Sequence, residues 1–585
     1  LRFPGPGEVA VELTDLAGAP VLSVGSLVVR AVTGEQLRAG EDRSLFRVEH
    51  IAVEPPPAPP VVWARWDEVT EPVPPVVVLP ASGVHAVLDV LQRFLTEPRF
   101  SGSRLVVVTG SGLDDAAATG LVRSAQAENP GRFVLLDGEV SDVDLALATG
   151  EPRVRVRDGR AEVPRLVKTE PGRKPNWEPA GTVLVTGGTG GVGAKLAERL
   201  VTEHGVESLV LTSRRGLTAP GAEELALRLR GLGAEVRVEA CDVADRSAVA
   251  ALLDGIPGLS GIVHAAGVLD DGVVTALTPE RLDRVLGPKA DGARHLHELT
   301  LDRPLTEFVL VSSVSGVLGG PGQGNYAAAN AYLDALAEQR HADGLPARSL
   351  AYGMWAAEGM GGVLDQALVD RMRRDGFGAL SPDEGAALFD LAPGPVSVPV
   401  KLDLAGLRDQ ARAGVLPALL TGLVRLPVRR VVSSSAVPVR TREVLPDLVL
   451  THTAQVLGFA TASEIDPEHA FTDLGFDSLT SVELRNRLAA AAGRPLGATV
   501  VFDHPTPAAL AAHLATLLFP EVVVPDEARL RRALAAASLD RLRELGVLEA
   551  LLSLTSDTPE PATEESIDDL DVGDLISRAM STSRD

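Results

Sequence analysis

Residues 182–205 read TVLVTGGTGGVGAKLAERLVTEHG, and this stretch decides the fold. TVLV is a short apolar run of strand type, and AKLAERLVTEHG carries its apolar residues at helical spacing. Between them lies the glycine-rich turn Thr186, Gly187, Gly188, Thr189, Gly190, Gly191, Val192, Gly193. Strand, glycine loop and helix in that order let the main chain approach a pyrophosphate and aim the helix N-terminus at its charge. About twenty residues further on, after the run SLVLT, come Ser213, Arg214 and Arg215, where a site for NAD would place an acid on the ribose 2′-hydroxyl. Arginines there favour a 2′-phosphate, so the expected cofactor is NADPH. Asp242 and Val243, taken as the end of the third strand AEVRVEACDV, are expected near the adenine; Ala265, Ala266 and Gly267, after GIVH, are assigned to the same cofactor.

Outward from this loop the alternation continues through GIVHAAG, EFVLVSSV and ARSLAYGMW to about Leu404, which predicts a doubly wound parallel sheet. Upstream, from Phe46 to about Lys174, PVVVLP, SRLVVVTG and GRFVLLDG alternate with helical runs such as VHAVLDVLQRFL. No glycine fingerprint follows the first of these strands, so this second α/β unit is expected to bind no cofactor. Residues 1–50 read as short alternating strands. Downstream of the linker RRVVSSSAVPVRTR, residues 441–519 show only helical periodicity and predict a small bundle. Residues 527–554 carry leucines at amphipathic spacing, and an acidic linker leads to the helical pattern IDDLDVGDLISRAM.

At 585 residues the chain is too long for one hydrophobic core. With 55 basic and 79 acidic residues it carries a net charge of −24, which opposes nucleic-acid binding. One cysteine, Cys241, leaves no intrachain disulfide and no multi-cysteine metal site, so no metal is expected and a reducing cytoplasm is. No apolar run approaches the roughly 20 residues that span a bilayer, so no membrane role is expected. The opening Leu1-Arg2-Phe3-Pro4 has neither an initiator Met nor a leader, and reads as a point inside a longer protein.

Residues 308–339, FVLVSSVSGVLGGPGQGNYAAANAYLDALAEQ, place Ser313 thirteen positions before Tyr326, with Asn330 four after it. With the nucleotide loop, this segment resembles the short-chain dehydrogenase/reductase family, and specifically the ketoreductase domains of modular polyketide synthases. The resemblance implies the roles. Tyr326 supplies a proton to the carbonyl oxygen that receives charge as hydride arrives, and Ser313 donates a hydrogen bond to that oxygen. A nearby ammonium, for which Lys289 in VLGPKADGA fits, is expected to lower the proton affinity of the phenol. In most of the superfamily a lysine follows the tyrosine by four residues; here Asn330 stands there, as in polyketide ketoreductases. Leu269, Asp270 and Asp271 are similar to the LDD motif of B-type ketoreductases, and Pro321 and Asn325 match the accompanying positions. Leu318 stands where A-type enzymes carry tryptophan, and Ala328 where epimerising B-type domains carry proline. The implied product is the D-configured, 3R β-hydroxyl without epimerisation. Met354 and Trp355 are expected to border the cofactor and begin a lid.

Gly475-Phe476-Asp477-Ser478-Leu479, opening the run LTSVELRNRLAAAAG and trailed by FDHPTP, resembles the acyl carrier domain of these synthases. Ser478 would then carry a covalent 4′-phosphopantetheine, installed by a phosphopantetheinyl transferase. Together these resemblances imply an α/β fold class with two Rossmann-like doubly wound subdomains, then a four-helix carrier bundle and a helical docking tail. The boundaries follow: 1–45 the end of a dehydratase hotdog domain, 46–174 the structural and 175–425 the catalytic half of the ketoreductase, 426–440 a linker, 441–519 the carrier, 520–585 a C-terminal docking domain. Partners implied are the upstream domains of the same module, the next synthase subunit and a second copy of the chain. Two other readings remain open: a free-standing reductase of soluble ketones, and a silent reductase that only scaffolds a working carrier.

Overall fold

The computed structural model describes the backbone of three strands between residues 2 and 28, then residues 44–356, 376–413, 416–424 and 441–519 apart from 460, 495 and 498; of 478 and 479 it describes the backbone alone. The expected lid beyond Ala356 and the expected docking tail lie outside the described residues.

Strands β1 (Arg2–Gly5), β2 (Glu8–Thr14) and β3 (Pro20–Val28) form an antiparallel sheet of their own. The rest of the α/β region is built on one sheet of fourteen strands. Its first block runs β13 (Glu235–Ala240), β12 (Ser208–Ser213), β11 (Thr182–Thr186), β14 (Leu259–His264), β15 (Glu307–Ser313), β16 (Arg348–Tyr352), β18 (Val396–Pro399), all parallel. That is the dinucleotide-binding order, with the strand order reversing between β11 and β14, where a crevice opens at the strand ends. The second block, β9 (Arg153–Arg157), β8 (Phe133–Asp137), β7 (Arg104–Thr109), β6 (Val76–Pro80), β5 (Trp63–Arg65), is also parallel. A short ribbon, β17 (Phe377–Gly378) with β19 (Lys401–Leu402), lies apart.

The two blocks are not separate sheets. β4 (Leu45–Val53) pairs antiparallel with β18, Val398 opposite Phe46, and on its other edge with β10 (Arg160–Lys168). The inner strands β6, β7 and β11 are near-continuous Val and Leu runs because helices cover both faces. The blocks also share a helical seam, where helix Leu113–Glu128 packs along helix Gly324–Ala342 through Ala117, Leu121, Ala328 and Leu336.

Residues 441–519 form helices Leu445–Leu457, Ser478–Ala492, Val500–Asp503 and Pro507–Leu518, the third a single turn. Leu445, Val449, Leu484, Leu488, Leu510 and Leu514 are buried in this unit.

Candidate active site

The glycine loop joins β11 to helix Gly191–His204 as the sequence predicts. Gly193 sits so close to the preceding turn that a Cβ there would lie 2.4 Å from the Gly187 carbonyl oxygen, so the helix can start under the loop only without a side chain. Gly187, Thr189, Gly190, Gly191, Val192 and Gly193 line a cleft of about 2720 Å³. Thr186 and Gly188 do not. The Thr186 hydroxyl turns inward to His264 Nδ1 at 2.7 Å, and Gly188 packs on the Leu211 side chain.

Across the cleft, Arg214 and Arg215 are exposed and form no ion pair among the described residues, in a chain with 24 excess negative charges. Beside them the buried Ser213 Oγ has no hydrogen-bond partner among the described residues. Unpaired guanidinium groups and an orphan hydroxyl at the end of the second strand fit an anionic group on a ribose. Asp242 does not end a strand: β13 stops at Ala240, and Asp242 caps the following turn by accepting from Ala244 N–H at 3.1 Å. Asp242, Val243, Ala265, Ala266 and Gly267 all line the cleft.

Ser313 is the last residue of β15 and the N-cap of helix Val314–Leu318. Its Oγ accepts from Ser315 N–H at 3.3 Å and from the Ser315 hydroxyl at 3.1 Å, which leaves its own hydrogen for the cleft. Tyr326 lies in the first turn of helix Gly324–Ala342, so the thirteen-residue spacing spans a strand end, a short helix and a loop that return the chain to the same place. Asn330, one turn on, is fully buried; its Nδ2 donates to the Tyr326 carbonyl at 2.8 Å. Its Oδ1 accepts from Lys289 Nζ at 2.7 Å, and Nζ also donates to the Val311 carbonyl at 2.9 Å. Lys289 comes from a π-turn, Gly287–Asp291, and its Nζ stands 5.2 Å from the centre of the Tyr326 ring.

The electrostatics differ from the sequence expectation. Burial raises the Tyr326 phenol above its ordinary value, with only partial relief from hydrogen bonding to Asn330 and Ser313. Burial also pushes Lys289 down to about 7, since only Asp334 opposes the shift. Burial therefore dominates both groups, raising the phenol and bringing the lysine down toward neutrality.

Leu269, Asp271 and Pro321 line the cleft, but Asp270 and Asn325 are anchors behind it. Asp270 is held between Arg281 at 2.8 Å and Arg284 at 2.7 Å, and Arg281 keeps its carboxyl below the usual range. Asn325 Nδ2 donates to the Asp270 carbonyl at 2.8 Å, while its Oδ1 accepts from Tyr326 N–H, also at 2.8 Å. Met354 and Trp355 border the cleft as expected. Ser315, His264 and Asp334 support the site but had no distinguishing signal in the sequence. His264 links the glycine loop to the Lys289 carbonyl at 2.9 Å, and the half-buried Asp334 accepts from Ser349 at 2.6 Å.

Ser478 is the first residue of helix Ser478–Ala492, whose N-cap Asp477 accepts from Thr480 N–H at 2.7 Å. Further along that helix, Arg485 and Asn486 meet the last turn of helix Leu113–Glu128. Arg485 donates to the Glu128 carbonyl and, at 3.1 Å, to Asn129 Oδ1; Asn486 Nδ2 donates to the Glu128 carbonyl at 3.1 Å.

Comparison with known proteins accounts for this layout. The KR domain family matches residues 181–357, and the phosphopantetheine attachment site family matches 447–514, which include Ser478. The Rossmann fold domain of the polyketide synthase extender module SpnB matches 10–166, a span that begins among the three N-terminal strands. Polyketide synthase GfsA of Streptomyces halstedii is 44% identical over 619 aligned positions, which cover 92% of this chain and 8% of that protein. PlmKR1, the ketoreductase from the first module of phoslactomycin biosynthesis in Streptomyces sp. HK803, is 30% identical with a TM-score of 0.58, covering 65% of this chain and 99% of that one. An A1-type ketoreductase is 31% identical, also with a TM-score of 0.58, covering 65% of this chain and 98% of that one. With its nucleotide crevice, its serine at a strand end facing a tyrosine in the first turn of a helix, and its carrier helix, the chain belongs to the modular type I polyketide synthases, of which it supplies a ketoreductase and an acyl carrier region.

Proposed function

We propose that this chain uses NADPH to reduce a β-ketoacyl thioester, held by phosphopantetheine on Ser478, to the β-hydroxyacyl thioester. The observation that carries the reading is the convergence of Ser313, Tyr326 and Lys289 on the wall of the nucleotide cleft, with the buried Asn330 joining the lysine to the tyrosine's helix behind it. The nicotinamide, when bound, supplies hydride to the carbonyl carbon. Ser313, whose oxygen already accepts from Ser315, has its hydrogen available to the carbonyl oxygen. Tyr326 gives that oxygen its proton. The phenolate left behind is favoured by Asn330 and Ser313, and by Lys289 when charged; Asn330 holds the lysine against the tyrosine's own helix.

NADPH rather than NADH is read from the unpaired Arg214 and Arg215 beside Ser213. The B-type assignment, with a D-configured hydroxyl and no epimerisation, rests on Leu269, Asp270, Asp271, Pro321 and Asn325, with Leu318 and Ala328 at the discriminating positions. The A1-type relative shares the fold, so the fold does not discriminate here. The domain boundaries given above, the dimer, the transferase and contact with the next subunit belong to the same proposal, as does a cytoplasmic location; no described helix is long and apolar enough to cross a membrane.

The test loads the chain with a β-ketoacyl phosphopantetheine by means of a phosphopantetheinyl transferase and adds NADPH. The bound acyl group is expected to gain two hydrogens and the D configuration, and Ser478→Ala to prevent loading. A loaded chain that consumes no NADPH would be the silent scaffold. A reductase that turns over ketones freely while refusing loading would be the free-standing enzyme.

A further inference from the structure

Helix Leu113–Glu128 belongs to the half without a nucleotide loop, yet it ends on the loops of the active site. Glu128 is 2% exposed, and each of its carboxylate oxygens has one main-chain donor. Oε2 accepts from Val274 N–H at 2.9 Å and Oε1 from Gly322 N–H at 3.0 Å. Val274 closely follows the Leu269–Asp271 turn, and Gly322 lies four residues before Tyr326. The two loops are also tied to each other. Gly272 N–H donates to the Gly322 carbonyl at 2.6 Å, and Gln323 Nε2 to Asp271 at 3.0 Å.

The same half grips the rest of the connection from Ser313 to Tyr326. Ser124 donates to the Gly320 carbonyl, Arg123 to Gly316 at 2.5 Å, and Arg153 to Val317 at 2.7 Å. Gln92 Nε2 donates to the Val274 carbonyl at 2.8 Å. A buried carboxylate is costly, and an apolar side chain would fill the same volume at less cost. What only a carboxylate offers here is two acceptors on one rigid group, facing two loops at once.

We propose that Glu128 is a positioning residue of the reductase, its carboxylate fixing the loops at Val274 and Gly322 so that the substrate meets Tyr326 from one side only. The half that holds no cofactor then contributes to the stereochemical outcome. This inference rests on the reductase reading above.

The test uses the full chain with NADPH and a diffusible β-ketoacyl N-acetylcysteamine thioester, so that carrier loading plays no part. In Glu128→Gln the amide offers one acceptor, and its NH2 faces the other N–H, so one loop is released with little change of volume. The expected result is a fall in kcat of about tenfold, the worth of one charge-assisted hydrogen bond, together with a mixed alcohol product. Ser124→Ala, which frees Gly320 alone, is expected to mix the product more weakly and decides the matter if the glutamine variant does not fold. Variants with a lowered melting temperature but wild-type kcat and a single configuration would reduce Glu128 to a structural role and overturn the inference. A wild-type chain that fails to reduce the thioester overturns the reductase reading, and this inference with it.

Discussion

Lys289 is the residue whose behaviour departs most from what its sequence position suggests. Enclosed by Asn330 and the Val311 carbonyl, with burial pushing it down to about 7, it loses its proton in the neutral range. Tyr326, pushed up by burial, keeps its proton well beyond that range. The sign follows: the ammonium that stabilises the phenolate is present below pH 7 and lost above it. The single-turnover rate of reduction is therefore expected to be full under mildly acid conditions and to decline as pH rises through about 7, whereas Lys289→Met should be slow and flat with pH. A wild-type profile level from pH 6 to 9 would contradict this. Tyr326→Phe removes the proposed general acid, and kcat is expected to fall by about a hundredfold or more with little change in cofactor affinity, measured by fluorescence titration. At this scale the sequence is most informative where spacing is local: Ser313, Tyr326 and Asn330 converge as their intervals suggest. It is least informative about partners distant in the chain. Nothing near Glu128 points to Gly322, and nothing near Asp270 shows that Arg281 and Arg284 keep it out of the cleft.

Among the elements, the strands and helices follow from apolar periodicity, and the strand order follows from the glycine loop, because a doubly wound sheet starting at β11 has few alternatives. The union of both halves in one sheet is not legible. It depends on β4 pairing with β18, more than 340 residues downstream, and no local pattern encodes that partnership. The helical seam is equally non-local but leaves a trace in composition, since its two helices are rich in alanine and glycine where they touch. Gly120 is the tightest point: a Cβ there would lie 2.2 Å from the Ala327 carbonyl oxygen, which belongs to the helix that carries Tyr326. Helix propensity alone favours alanine at a mid-helix glycine by about 1 kcal/mol. The overlap with backbone should outweigh it, so Gly120→Ala is expected to destabilise the chain by about 2 kcal/mol and to slow reduction as the two helices separate. Thermal melting checks the first effect, and a raised melting temperature would show that the seam yields without cost.

For the molecule as a whole, the question is how a tethered carrier finds its reductase. Tethering alone raises the local concentration of the acyl group, but gives it no orientation. The contact at the end of helix Leu113–Glu128 supplies one. The last turn of a helix presents carbonyls without intrahelical partners and the negative end of its dipole, and Arg485 and Asn486 meet that end with donors. Arg485 is 5% exposed there, and burial lowers its guanidinium to about 10 although the Glu128 carboxylate opposes the shift. Ser478 lies seven positions before Arg485, so the proposed attachment point is about 10 Å along the carrier helix from this anchor. Removing a buried cation from its acceptors typically costs an interface 2 kcal/mol or more. Arg485→Ala is therefore expected to slow single-turnover reduction of the acyl group on Ser478 by about thirtyfold, while a diffusible thioester is reduced at the wild-type rate. The comparison separates docking from chemistry: equal slowing of both substrates would mean that Arg485 acts through the reductase fold, and slowing of neither would mean that the carrier reaches the cleft by another face.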